Sequence, residues 1–421
     1  MESRLLKNIL KLVKGTLIAQ IISLLFYPII TRIYTPEDFG EFALIIGVAS
    51  FFTVIATLRY EFAIILPKSN IHAKNIASLS FILPFLIVAI YTVLSLILIS
   101  LFDEINTFFT DSIIFIFIPL AILLVGIYQT LYYWCNRFDL YNEMANSRIF
   151  NTLLNSFAAV TLGLLTNNVW GLLLGYLIGY MSSIVYMLLK NKGILKEIKS
   201  SFNLKRIVYN LKKYKNLPLF NSFHALLDVA SLQGTVILMG IFYNNYYLGL
   251  FSLTWRVLKI PLVFIGGAVS QIYTKEAATL FANKKKIRPL FIKTTLNMFV
   301  ISLPIFTILF FLGEPMFVYV FGETWRGSGE YVKYLVPWLM INFIGSSITQ
   351  TVIIINKQKT ALIFAVMQTI TILLVISISG YNSIAFEQML LYLSITGSIT
   401  TFIYGFWIYR QTGGRNNNYS S

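Results

Sequence analysis

The chain has 421 residues, 57% hydrophobic and 16% aromatic but only 12% charged, and it carries a formal net charge of +16. A water-soluble domain has roughly twice that charged fraction, so the composition excludes a tethered globular enzyme, a secreted disulfide scaffold and, despite the charge, a nucleic-acid binder. The lone Cys135 and the widely separated His72 and His224 supply neither a disulfide framework nor a metal-ligand spacing, and no metal or cofactor is expected.

About 240 apolar residues, at about 20 per bilayer span, suffice for about twelve transmembrane helices and little else. Spans are predicted near 12–33, 40–66, 76–101, 113–135, 148–166 and 169–189, then near 217–242, 247–273, 290–312, 331–355, 360–379 and 387–409. Arg4, Lys7 and Lys11 precede the first span as in a signal peptide, but its long apolar run lacks a small-residue cleavage site and reads as a retained helix. The expected organisation is all-α: a six-helix lobe at 1–189, a basic cytoplasmic linker at 190–216, a second six-helix lobe at 217–410 and a disordered cytoplasmic tail at 411–421.

Lysine and arginine fall on alternate connections, which sets orientation because basic loops stay in the cytoplasm. With both termini inside, the cytoplasmic side holds Lys68, Lys74, Arg137, Lys357, Lys359, Arg410, Arg415, a cluster from Lys275 to Arg288 and the dense run from Lys190 to Lys215. The outer loops hold Glu37, Asp38, Asp103, Glu104, Asp111, Glu314, Glu323 and Glu330 with Arg326 alone against them. The linker, with Ile194, Ile198, Phe202, Leu204, Ile207 and Leu211 among its lysines, is read as an amphipathic helix on anionic lipid or as a solvated connection.

A repeat straddles that linker. Gly40-Glu41-Phe42-Ala43-Leu44 corresponds to Gly249-Leu250-Phe251-Ser252-Leu253 at an offset of 209, Pro84 to Pro304 at 220 and Pro119 to Pro337 at 218. Six spans separate equivalents, so the halves share one topology, a parallel pseudo-twofold repeat about the membrane normal, and function is expected between two rocking lobes.

Charges inside spans are expensive and mark function by default. Lys14, Arg148, Lys293 and Lys333 sit near span ends, where long side chains snorkel. Counted at the helical rise, Arg59 lies about 28 Å into the second span, with Glu61 deeper, and Arg256 and Lys259 about 14 and 18 Å into the eighth. His224 and Asp228 share one face of the seventh span and Arg32 closes the first. Two explanations stay open: ion pairs of Arg59 with Glu61 or Arg256 with Asp228, or a ladder of Arg32, Arg59, Arg256 and Lys259 through a cavity that draws an anionic, phosphate-bearing head group inward. Asn151, Asn155, Gln233, Gln271, Asn342, Gln350 and Gln368 are read mainly as bonds between helices. Tyr132, Tyr133, Trp134, Trp170 and Trp338 are read as interfacial belts.

Ile29-Ile30-Thr31-Arg32-Ile33-Tyr34-Thr35-Pro36-Glu37-Asp38-Phe39-Gly40, Leu58-Arg59-Tyr60-Glu61, Gly249 through Arg256 to Pro261, and Phe321-Gly322 with Trp325 and Pro337 together resemble the Wzx-type polysaccharide flippases of the multidrug/oligosaccharidyl-lipid/polysaccharide superfamily. The resemblance implies an inner-membrane protein that moves an undecaprenyl-pyrophosphate-linked oligosaccharide from the cytoplasmic to the periplasmic leaflet by alternating access, for O-antigen, capsule or exopolysaccharide. It implies the lipid bilayer as a partner, with a polysaccharide polymerase and a chain-length regulator downstream. It carries Arg32, Arg59 and Arg256 as motif matches in a cationic cavity, with Glu61, His224 and Asp228 as ion-coupling or charge-pairing candidates. No covalent bond changes on this reading, so no catalytic residue is assigned. The competing readings are a drug or metabolite antiporter, whose cavities favour carboxylates, and a polymerase or ligase, which needs a larger outer loop than 313–330.

Overall fold

The computed structural model describes residues 2–101 and 112–413. Asp103, Glu104, Asp111, Arg415 and the expected tail from 414 onward lie outside the described residues. All regular structure among the described residues is helical, as expected where no water is present to satisfy open backbone groups. Eleven helical stretches among them are long and apolar enough to cross a membrane. The chain divides into two compact units, Met1–Ile237 and Leu238–Ser421.

In the first unit the main helices are α1 (Glu2–Ile33), α2 (Pro36–Thr53), α3 (Asn70–Leu101), α4 (Ser112–Arg137), α5 (Tyr141–Thr166) and α6 (Trp170–Lys190). Two short helices follow, α7 (Ile194–Ser200) and α8 (Leu204–Lys213), before α9 (Ser222–Phe242), which crosses the unit boundary. The second unit continues with α10 (Asn245–Leu258), α11 (Gly267–Ala282), α12 (Arg288–Phe321), α13 (Arg326–Ser346), α14 (Thr351–Ile354), α15 (Gln358–Tyr381) and α16 (Phe386–Gln411).

The Thr35-Pro36-Glu37-Asp38 stretch is a helix start. The Thr35 hydroxyl accepts from the Asp38 backbone N–H, and the Asp38 carboxylate accepts from the Thr35 N–H at 2.9 Å. This is a reciprocal capping box with Pro36 in the first turn, where its missing N–H costs nothing. Ahead of it the buried Tyr34 hydroxyl donates to the Ala159 carbonyl at 2.6 Å and ties the α1–α2 corner to α5. Burial, with the Asp38 carboxylate adding to it, pushes the Tyr34 phenol up, so it stays a donor. Replacing Thr35 by Ala should cost about 1 kcal/mol, read as a lower thermal midpoint in detergent.

The second unit repeats this device. Asn244 caps α10, its side-chain oxygen accepting from the Tyr247 N–H at 3.1 Å, and the Tyr243 hydroxyl donates to the Ile384 carbonyl at 3.1 Å. Tyr34 and Tyr243, like Thr35 and Asn244, are 209 residues apart, the offset already read from Gly40 and Gly249.

The span expected at 40–66 is not one helix. α2 stops at Thr53, the chain turns through residues 54–59, and a 3-10 helix runs from Tyr60 to Ile65. Hydropathy missed the break because residues 51–57 stay mostly apolar. The corresponding place in the second unit is also irregular: after α10 a π-helical turn, Leu262–Gly266, precedes α11. α2 ends at Thr53 and α10 at Leu258, so at the 209-residue offset the two interruptions fall within about one helical turn of each other.

Close packing of α5 on α6 carries the first unit. Gly171, Gly175, Gly179 and Ser183 fall every fourth residue on α6, and Ser147, Asn151, Asn155, Ala159 and Gly163 do so on α5. Small residues at that spacing let membrane helices approach to backbone contact. A Cβ at Gly175 would stand 2.9 Å from the Asn155 carbonyl oxygen, and one at Gly179 2.8 Å from that of Asn151. The Ser183 hydroxyl donates to the Ser147 carbonyl at 2.8 Å.

The basic 190–216 segment docks on the first unit through α7 and α8. Ile194, Ile198 and Ile207 are buried, the Asn203 N–H donates to the Asn75 side-chain oxygen at 2.9 Å, and Lys74 pairs with Glu197 at 3.1 Å. Leu204, Val208 and Tyr209 remain exposed beside Lys205, Lys212 and Lys213.

Candidate functional site

Interrupted membrane helices concentrate unsatisfied backbone groups and strain, and both are recurrent features of transport sites. In the first unit the interruption holds Thr57, Arg59 and Glu61. Leu58 and Arg59 take the left-handed conformation, with φ of 47° and 62°, a region that ordinary L-residues enter only under constraint. The constraints are visible. The Thr57 hydroxyl donates to the Glu61 carboxylate, the Tyr60 hydroxyl donates to the Leu211 carbonyl at 3.1 Å, and Arg137 donates to the Ile64 carbonyl at 2.8 Å and to Asn70 at 2.9 Å.

This turn replaces the depth estimate that a continuous helix implied for Arg59. Its guanidinium stands 3.6 Å from Glu61, with the side chains 19% and 1% exposed respectively. It also lies 5.4 Å from the centroid of Phe62, whose ring packs edge-on against Tyr133. Glu61 is thus a buried carboxylate held by one hydroxyl and one guanidinium, while Arg59 keeps a solvent-accessible edge.

In the second unit Arg256 is exposed on the last turn of α10, where a cation complements the helix dipole. Lys259 caps that helix with its ammonium 4.6 Å from the Trp255 ring centroid. Trp255 stacks on Phe251 and lies 5.0 Å from Trp338, so the cation sits over an aromatic cluster.

The remaining expected residues are placed as follows. His224 and Asp228 pair with each other at 3.1 Å on α9, with side chains 58% and 66% exposed. Arg32 is exposed in the last turn of α1. Arg326, expected from the sequence as the one cation of the outer loops, bonds Glu314 at 2.6 Å and Glu323 at 2.7 Å, which neutralises it locally.

Arg148 and Trp134 depart from expectation. Instead of snorkelling to an interface, Arg148 donates to the Thr16 hydroxyl at 2.7 Å and to the Tyr132 hydroxyl at 2.5 Å, tying α5 to α1 and α4. Trp134 is buried in the core of the first unit. Span-end position is a poor guide here because the helices extend beyond the apolar windows: α5 begins at Tyr141, seven residues before Arg148. The helix-bonding reading of the amides holds for Gln368, which donates to Thr401 at 3.2 Å.

The family described as "Polysaccharide biosynthesis protein" matches residues 29–330. The chain belongs to this family. No curated protein matches it. As a polysaccharide biosynthesis family member it shares its fold with superfamily transporters, all at low identity. A lipid II flippase, MurJ, in an inward closed conformation aligns at 17% identity with a TM-score of 0.68, covering 95% of this chain and 90% of that one. An outward-facing multidrug resistance MATE family transporter of the MOP superfamily aligns at 14% identity and 0.60, covering 98% and 97%. A MOP superfamily transporter from Pyrococcus furiosus, described as having a binding pocket of reverse polarity, aligns at 14% and 0.59, covering 97% and 96%. The family member is therefore a multi-pass membrane protein with the two-lobe fold of these transporters. The residues singled out from the sequence divide between the two units, Arg32, Arg59, Glu61, His224 and Asp228 in the first and Arg256 and Lys259 in the second.

Proposed function

We propose that the protein flips a polyprenyl-pyrophosphate-linked oligosaccharide from the cytoplasmic to the periplasmic leaflet of a bacterial inner membrane, both of its termini being cytoplasmic, for the assembly of O-antigen, capsule or exopolysaccharide. The observation that carries this reading is membership of a polysaccharide biosynthesis family by a chain with a transporter fold. An anionic, sugar-bearing lipid is the cargo that joins polysaccharide synthesis to transport across a bilayer. Arg32, Arg59, Arg256 and Lys259 receive the pyrophosphate, since arginine guanidinium groups bind phosphate oxygens bidentately and stay charged at any relevant pH, and the Lys259 ammonium adds a compact point charge. Glu61, His224 and Asp228 are the candidates for ion coupling. The lipid tail stays in the bilayer, no covalent bond changes, and a polymerase with its chain-length regulator takes up the product.

Depleting the protein in its host tests this. The lipid-linked oligosaccharide should accumulate in the cytoplasmic leaflet while surface polymer disappears. Normal surface polymer after complete depletion, in a host without a second such transporter, contradicts the reading.

A further inference from the structure

We propose that the first unit contains a glycan-binding subsite built from Tyr128 and Tyr132 on α4, Tyr176 and Tyr180 on α6, and Arg148 on α5. The assignment rests on the flippase reading and says where the sugar part of the cargo is held.

Each tyrosine pair is four residues apart and so shares one helix face. The rings form a continuous run: Tyr132 to Tyr128 at 5.8 Å, Tyr128 to Tyr180 at 5.4 Å and Tyr180 to Tyr176 at 4.9 Å between centroids. All four, and Arg148, are only half-buried, so the run presents accessible ring surface. Phenylalanine or leucine would fill these helix contacts without a hydroxyl to satisfy, so the phenols bring polar groups that apolar packing does not require. Part of the hydroxyl capacity is used internally, Tyr132 accepting from Arg148.

Arg148 sits at one end of the run, 5.0 Å from the Tyr132 ring centroid. Among the described residues no ion pair includes it, and its two bonded nitrogens leave donor capacity over. Two amide oxygens supply the acceptors. Gln20 Oε1, one turn beyond Thr16 on α1, and Gln129 Oε1, next to Tyr128, are buried with no hydrogen-bond partner among the described residues. Buried acceptors in that state are rare and call for a donor. Aromatic faces, guanidinium donors and unfilled amide acceptors together match a pyranose, which has a flat C–H face and hydroxyls that both donate and accept. An acyl chain uses none of the polar groups, and a bare pyrophosphate uses none of the rings.

The test measures binding of two probes to the purified full chain: the lipid-linked oligosaccharide pool extracted from the host, and bare undecaprenyl pyrophosphate. The native chain should bind the glycosylated lipid about tenfold or more tightly than the bare lipid. The pair Tyr176→Leu with Tyr180→Leu should erase that preference and leave bare-lipid affinity unchanged. The pair Tyr176→Phe with Tyr180→Phe, which keeps ring volume and guards against misfolding, should reduce the preference by about two- to fivefold. Full preference in both pairs overturns the subsite. Equal affinity of the native chain for both probes overturns it while leaving the flippase reading intact, and binding of neither probe overturns both.

Discussion

Replacing Arg59 and Arg256 together by glutamine should lower transport of the lipid-linked oligosaccharide by about a hundredfold or more, since each charge-assisted bond to phosphate contributes about 1.5–3 kcal/mol. The two single replacements differ in their effect on folding. Arg256 lies in the last turn of α10, where its charge complements the helix dipole by about 0.3–1 kcal/mol, so R256Q should lower the thermal midpoint less than R59Q. Arg59 faces the buried Glu61 at 3.6 Å, and R59Q removes the cation beside that buried carboxylate, a loss of about 2 kcal/mol for a partly exposed pair. Adding Glu61→Gln to R59Q should recover most of the stability but not transport. Recovery of both would make the Arg59–Glu61 pair structural only. Native transport in the folded R59Q/R256Q protein would remove both arginines from the cargo path.

Gly175→Val should be strongly damaging to the first unit. The added Cβ would stand 2.9 Å from the Asn155 carbonyl oxygen and 3.1 Å from the Ala159 backbone nitrogen. Neither is a flexible side-chain tip, so α5 and α6 must separate along their contact. Overpacking of this kind costs about 1–3 kcal/mol where a core can yield, and the upper end applies where backbone is the obstacle. The expected result is a thermal midpoint several degrees lower in detergent, with loss of monodisperse protein at 37 °C. Gly405→Val, where no atom lies within 4 Å of an added Cβ, is the control and should behave as the native chain. Equal behaviour of the two variants would mean that the α5–α6 contact does not carry the unit.

Composition and hydropathy made the class and most helices legible, because the bilayer imposes one backbone solution and a fixed span length. The 209-residue offset read from Gly40 and Gly249 reappears in the Tyr34–Thr35 and Tyr243–Asn244 corners, so repeated local chemistry announced repeated structure. The Thr-Pro-Glu-Asp element, which carried the family resemblance, proves to be a capping box beside a buried tyrosine. Three features escaped hydropathy. An apolar run reads the same whether helical or broken, so the stop at Thr53 and the left-handed Leu58 and Arg59 were invisible to it. Gly171, Gly175 and Gly179 are spaced as a helix contact, but that pattern lies in residue size and not in polarity. Arg148 was assigned by its distance from a span end, whereas its partners Thr16 and Tyr132 lie on other helices and are set by tertiary packing.

The central claim is that this chain carries an oligosaccharide-bearing lipid across a bilayer. The most direct measurement places the purified protein in vesicles whose inner leaflet holds fluorescently labelled lipid-linked oligosaccharide, with a membrane-impermeant glycosidase outside. The account predicts protein-dependent digestion of the inner pool, slowed about a hundredfold or more by R59Q/R256Q. Digestion no faster than in protein-free vesicles, with the protein folded and correctly inserted, would contradict it.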